Sequence, residues 1–109
     1  MTREEAVVKW IDAGPVTELI EGRAISIPVG RRMIAVVRSG GTYFAIDDVC
    51  THDGAELTGG EIEGTEIVCP RHGARFCLKT GEALSPPAYE PVRVYPTKTE
   101  GGHLWVHAD

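Results

Sequence analysis

Two short segments hold the residues best suited to chemistry: Cys50-Thr51-His52 and, sixteen residues further on, Cys69-Pro70-Arg71-His72. Each brings one thiol and one imidazole within a few positions of each other. Thiolates bind soft metals and iron–sulfur centres, and imidazole binds iron or zinc. Two Cys and two His satisfy a tetrahedral zinc ion. They equally satisfy a two-iron cluster in which one iron takes both thiolates and the other both imidazoles. Zinc patterns usually pair Cys with Cys and His with His, whereas each segment here mixes the two, which favours the cluster. The chain has three cysteines, an odd number that argues against a disulfide framework.

Ligand loops need rigid elements to aim them, and the flanking sequence supplies strands. Val7–Ala13 mixes apolar and polar residues in strand fashion until Gly14-Pro15 breaks it. Thr17–Glu21 fits one helical turn with Thr17 as its cap. Arg23–Val29 alternates, Met33–Arg38 is an apolar β-branched run typical of a buried strand, and Thr42–Ile46 follows the turn signal Ser39-Gly40-Gly41. Each ligand segment then follows a strand. Glu61–Pro70 reads as a hairpin turning at Glu63-Gly64-Thr65, and Arg75–Leu84 as a second turning at Lys79-Thr80-Gly81. Ser85-Pro86-Pro87 must be a stiff irregular loop, because consecutive prolines remove ladder donors. Val92–Tyr95 and Leu104–His107 are expected to close the chain as a hairpin around Glu100-Gly101-Gly102. No long helical pattern occurs, so the pattern predicts an all-β protein with a loop-rich segment set between outer strands.

Size and charge bound the function. The 109 residues fit a single domain, 1–109, whose modest core a metal centre would help to hold. A formal charge of −5 argues against nucleic acid as a partner. It suits docking onto a basic protein surface, as well as plain solubility. No apolar run reaches the ~18–20 residues of a membrane span, and MTREEAVVKW lacks the features of a secretory signal, so the expected location is cytoplasmic, without a membrane anchor.

The double box Cys-x-His and Cys-x-x-His resembles the Rieske family, and the resemblance covers most of the chain. It implies a Rieske-type fold: an antiparallel β-sandwich base, about residues 1–46 and 85–109, carrying a small loop-rich cluster-binding subdomain at about 47–84. It implies one [2Fe–2S] cluster per chain, with Cys50 and Cys69 on the buried iron and His52 and His72 on the outer one. Gly54 and Gly73, just after the histidines, suit loops that offer backbone N–H groups to cluster sulfurs. Ser85-Pro86-Pro87-Ala88 resembles the proline loop that covers the cluster and limits solvent access.

Departures from respiratory members of the family are informative. Where those carry an inter-loop disulfide this chain has Ala55 and Arg71, and where they carry a Ser and a Tyr donating to cluster and cysteine sulfur it has Ala74 and Phe76. Fewer donors leave more negative charge uncompensated, so the expected potential lies near the low end of the Rieske range, about −150 mV. With Arg75–Gly81 followed by Ser85-Pro86-Pro87, the chain is similar to the Rieske ferredoxins of bacterial ring-hydroxylating dioxygenase systems. That implies a one-electron carrier, not an enzyme, fed by a flavin-dependent ferredoxin reductase and feeding a terminal Rieske non-haem iron oxygenase. A mononuclear iron site has no room here. An accessory ferredoxin for cluster assembly, a nitrite-reductase-like role and a zinc-stabilised interaction module are the competing readings. Of the remaining residues, Cys77 reads as a small buried hydrophobe, with a redox thiol as the alternative. His103 and His107 read as surface residues, and Trp10 and Trp105 as core or edge packing. Arg71 and Arg75 flank His72 and could steer an acidic partner, stabilise the reduced cluster or be simply solvated.

Overall fold

A computed structural model describes residues 9–108. Among these described residues ten strands form three antiparallel sheets: β1 (Lys9–Pro15), β2 (Arg23–Val29), β3 (Arg32–Ser39), β4 (Thr42–Asp47), β5 (Ile62–Glu63), β6 (Glu66–Val68), β7 (Arg75–Cys77), β8 (Val94–Tyr95), β9 (Thr97–Glu100) and β10 (His103–Ala108). The four-stranded sheet runs β2-β3-β4-β8, and a three-stranded sheet runs β1-β10-β9.

The apolar run in β3 is explained by burial on both faces. Ile34 and Val36 join Ala45 of β4 in a core with Leu104, Val106 and Ala108 of β10. Ala35 and Val37 join Phe44 and Ile46 of β4 in a second core with Ile67, Cys69, Phe76 and Leu78. The first core is the interior of a β-sandwich. The second lies beneath the segment that leaves β4 and returns at β8. That segment folds its own sheet, β5-β6-β7, with Ile67 opposite Phe76. Strands β4 and β8, far apart in sequence, pair directly through Ala45↔Tyr95 and Ile46↔Val94.

Two glycines are required by close approach. A Cβ on Gly60 would lie 1.9 Å from the Val68 carbonyl oxygen, and one on Gly81 would lie 2.0 Å from that of Val92. Gly60 therefore lets the first ligand loop lie against the strand that leads to Cys69. Gly81 lets the end of the second hairpin lie against the chain returning to β8, where its carbonyl accepts the Val92 N–H at 2.8 Å.

Three expectations change. Gly14-Pro15 does not end β1: the strand passes through it with a register shift between Asp12 and Pro15, and the Asp12 carboxylate accepts the Gly14 N–H at 2.8 Å. The start of that strand at Val7 and Val8 lies outside the described residues. The helical turn is a 3₁₀ turn at Val16–Glu18 led by Pro15, with no side-chain cap from Thr17. The closing hairpin is β9–β10, not Val92–Tyr95 with Leu104–His107. Thr97-Lys98-Thr99-Glu100 is an exposed edge strand with no apolar alternation to betray it, and β8 completes the other sheet instead.

Candidate metal centre

The two ligand segments fold alike. The Cys50 N–H donates to the Ala55 carbonyl at 2.7 Å, and the Gly54 N–H donates back to the Cys50 carbonyl at 2.7 Å. In the second segment the Cys69 N–H donates to the Ala74 carbonyl at 2.7 Å and the Gly73 N–H to the Cys69 carbonyl at 3.0 Å. Each loop is closed on itself by its own backbone, and each hangs from a strand: the first follows β4, the second follows β6.

A buried carboxylate fixes the first loop to the sandwich. Asp48, 5% exposed, accepts the N–H groups of Leu57 and Thr58 on Oδ1 at 2.7 and 2.8 Å. Its Oδ2 accepts the hydroxyls of Ser26 on β2 and Thr58, both at 2.8 Å. A buried carboxylate is tolerated when its lone pairs are filled this way.

The four candidate ligands separate by depth. Cys50 and Cys69 are each 1% exposed, whereas the side chains of His52 and His72 are 34% and 51% exposed. The imidazoles stand edge to face with centroids 5.2 Å apart. Burial pushes the Cys50 thiol up and the Cys69 sulfur adds to this, while the amides of His52 and Asp53 act against it. Such a thiol gains most from a metal cation in place of its proton.

Donor atoms close enough to share a metal ion, within 4.8 Å of one another, fall into two sets among the described residues: Cys50, Cys69 and Asp53, and His52, His72 and Asp53. Neither set joins a thiol to an imidazole. One zinc ion held by both Cys and both His does not suit that division. A two-iron centre with thiolates inside and imidazoles outside does.

Asp53, which sequence reading passed over, lies where the two sets meet. Its Oδ1 accepts the Ala55 N–H at 3.0 Å. Its Oδ2 is 3.4 Å from His72 Nδ1, 3.9 Å from His52 Nδ1 and 3.7 Å from Arg71 Nε. The Ala55 amide above all, then the charge of Arg71 and the two imidazoles, hold this carboxyl below the usual range.

The Ser85–Ala88 loop and the residues just after it are tied to both ligand segments. Ser85 Oγ accepts the Arg75 N–H at 3.1 Å, Ala88 is buried in the core under the ligand loops, and Thr51 Oγ1 donates to the Glu90 carbonyl at 2.6 Å. Ala74 and Phe76, both fully buried, bring no hydroxyl to the site. Arg75 does not serve His72: its guanidinium pairs with Glu63 at 2.7 Å and Glu66 at 3.2 Å across the small sheet. Cys77 is half-buried rather than buried, and its thiol is pulled down chiefly by the Thr80 side chain. His103 pairs with Asp12 at 2.9 Å, and His107 packs on Trp10, whose other neighbour is Lys98. Both histidines are half-buried and stand outside either donor set. Trp10 is part-exposed at the edge, and Trp105 donates to the Glu100 carbonyl at 3.2 Å.

The model of the Rieske [2Fe–2S] domain matches residues 9–96, and the chain belongs to that family. Its cofactor is accordingly a [2Fe–2S] cluster. Within the family it is similar to ferredoxins, which are electron carriers and not catalysts. It is 38% identical over 98 residues to the ferredoxin component of the naphthalene 1,2-dioxygenase system of Pseudomonas aeruginosa, covering 90% of this chain and 94% of that protein. Its structure superposes on the ferredoxin of carbazole 1,9a-dioxygenase from Nocardioides aromaticivorans with a TM-score of 0.88 at 29% identity, covering 93% and 99% of the two chains. It also superposes on a chain in a complex of reduced oxygenase and oxidised ferredoxin in carbazole 1,9a-dioxygenase, with a TM-score of 0.85 at 31% identity, covering 90% and 92%.

Proposed function

We propose that Cys50 and Cys69 hold the inner iron of the [2Fe–2S] cluster, that His52 and His72 hold the outer iron, and that the protein carries single electrons from a flavin-dependent reductase to a terminal non-haem iron oxygenase. The observation that carries this reading is the division of donors into a buried thiol pair and an exposed imidazole pair. The cluster-binding part is the segment at about 47–84, and the Ser85–Ala88 loop covers it.

When bound, the cluster supplies one electron's worth of reversible redox capacity. The chain does the rest. The self-bonded loops and the Asp48 anchor hold the ligands in place, so little has to move when charge changes. The covering loop keeps water from the inner side. The imidazoles, exposed at one edge, offer the short path to a docked protein, and a carrier that must dock and leave needs only a small interface. The oxygenase as partner is supported by the similarity to a ferredoxin seen in complex with its oxygenase. Among the described residues no helix is long and apolar enough to cross a membrane.

The test is absorbance and EPR on the purified protein before and after dithionite, followed by mixing with a flavin-dependent ferredoxin reductase and NADH. A brown protein that gives a mixed histidine–cysteine EPR signal on reduction, and that NADH reduces only through the reductase, supports the assignment. A colourless protein holding one zinc ion overturns it.

A further inference from the structure

Asp53 has no counterpart among the ligands just assigned, yet its carboxylate faces both imidazoles. Its orientation is fixed: Oδ1 is held by the Ala55 N–H, which turns Oδ2 toward His72 and His52. The side chain is only 20% exposed, whereas that of Arg71, whose guanidinium lies 3.7 Å away, is 63% exposed. A fixed anion therefore stands against the outer ligand pair with only a partly solvated counter-charge beside it. Reduction adds one electron and one unit of negative charge to the centre, with no bond made or broken. A nearby anion opposes that change, and a cation favours it.

Resting on the cluster assignment above, we propose that Asp53 is a positioning and potential-setting residue: its carboxylate, held between His52 and His72, biases the centre toward the oxidised state, and Arg71 partly offsets it. Neither residue is a ligand, and neither needs to change protonation. The pair acts as two opposed charges of unequal burial, so the anion dominates.

The experiment is a redox titration of the cluster-loaded protein at one neutral pH, followed by absorbance, on the wild type, Asp53→Asn and Arg71→Gln. Asn can still accept the Ala55 N–H, so the loop keeps its closure. Asp53→Asn is expected to shift the reduction equilibrium toward the reduced form at least tenfold, a 59 mV rise for one electron. Arg71→Gln is expected to shift it the opposite way and by less, with the shift shrinking at high salt because Arg71 is the more exposed. A fully loaded Asp53→Asn protein whose equilibrium moves less than twofold, or toward the oxidised form, overturns the inference. Should Asp53→Asn fail to load, Arg71→Gln decides: a shift toward the oxidised form supports the inference, and none or the reverse overturns it. A colourless wild type would overturn the cluster assignment itself, and this inference with it. An unchanged potential in brown protein would overturn this inference alone.

Discussion

Replacing Asp48 with Ala should uncouple the first ligand loop from the sandwich. The carboxylate accepts two backbone N–H groups and two hydroxyls. The hydroxyls of Ser26 and Thr58 are half-buried and can turn to water. The Leu57 and Thr58 amides have no other acceptor among the described residues, and each stranded amide costs about 1–3 kcal/mol. The two amides together cost about 2–6 kcal/mol, and losing the charge-assisted bonds to the hydroxyls adds at least ~1 kcal/mol, so the destabilisation should be about 3 kcal/mol or more. That is a large part of the ~5–15 kcal/mol of a small domain. The melting temperature should fall by at least ~12 °C. Asp48→Asn keeps Oδ1 for both amides and asks only that the hydroxyls reverse, so it should cost about 1 kcal/mol. Urea denaturation followed by circular dichroism, with visible absorbance recording cluster loss, measures both. If Asp48→Ala stays within ~1 kcal/mol of the wild type, the reasoning fails, because the loop would be held by something other than this carboxylate.

Gly81→Ala would force a Cβ to within 2.0 Å of the Val92 carbonyl at a φ of +81°, and should cost about 3 kcal/mol or more by the same denaturation assay. Ala74→Ser places a hydroxyl where respiratory members of the family have one. If it donates to sulfur, the gain of about 1 kcal/mol in the reduced form raises the potential by ~40 mV, read by redox titration. Tyr95 is buried, and burial followed by the Asp47 carboxylate that accepts its hydroxyl pushes its phenol above the usual value. The folded state thus holds the phenolic proton more tightly than the unfolded state, so stability is intact below about pH 10 and falls as pH rises beyond it. Tyr95→Phe should remove that part of the alkaline slope in stability measured against pH.

Much of this was legible in the chain. Cys50, His52, Cys69 and His72 stood out because two thiols and two imidazoles at such spacing suit little besides a metal centre. β2 was readable from Arg23 to Val29 because Ala24, Ile25, Ile27 and Val29 are set among polar neighbours and Pro28. The misses have physical causes. β9 is Thr-Lys-Thr-Glu, a solvent-facing edge whose strand character comes from pairing with β10 and not from its own residues. β1 kept going through Gly14-Pro15 because a bulge absorbs what a regular ladder cannot. Arg75 looked like a neighbour of His72 in sequence, but a β-strand alternates its faces, and the pairing of β6 with β7 gave it Glu66 as a partner. Asp48 and Asp53 were invisible because a lone acid in a polar loop is usually solvated, and only the fold reveals which are buried or aimed.

The double-faced burial of β3 has a consequence for how such a sequence can drift. Its adjacent residues answer to different neighbours. Ile34 and Val36 share volume with Leu104 and Val106, while Ala35 and Val37 share it with Ile67 and Phe76. A change of size at one position is best compensated within its own core. Residues next to each other along this strand should therefore vary independently over evolutionary time. Residues far apart in the chain should vary together, with the even-numbered positions of the strand tracking the sandwich and the odd-numbered ones tracking the metal centre.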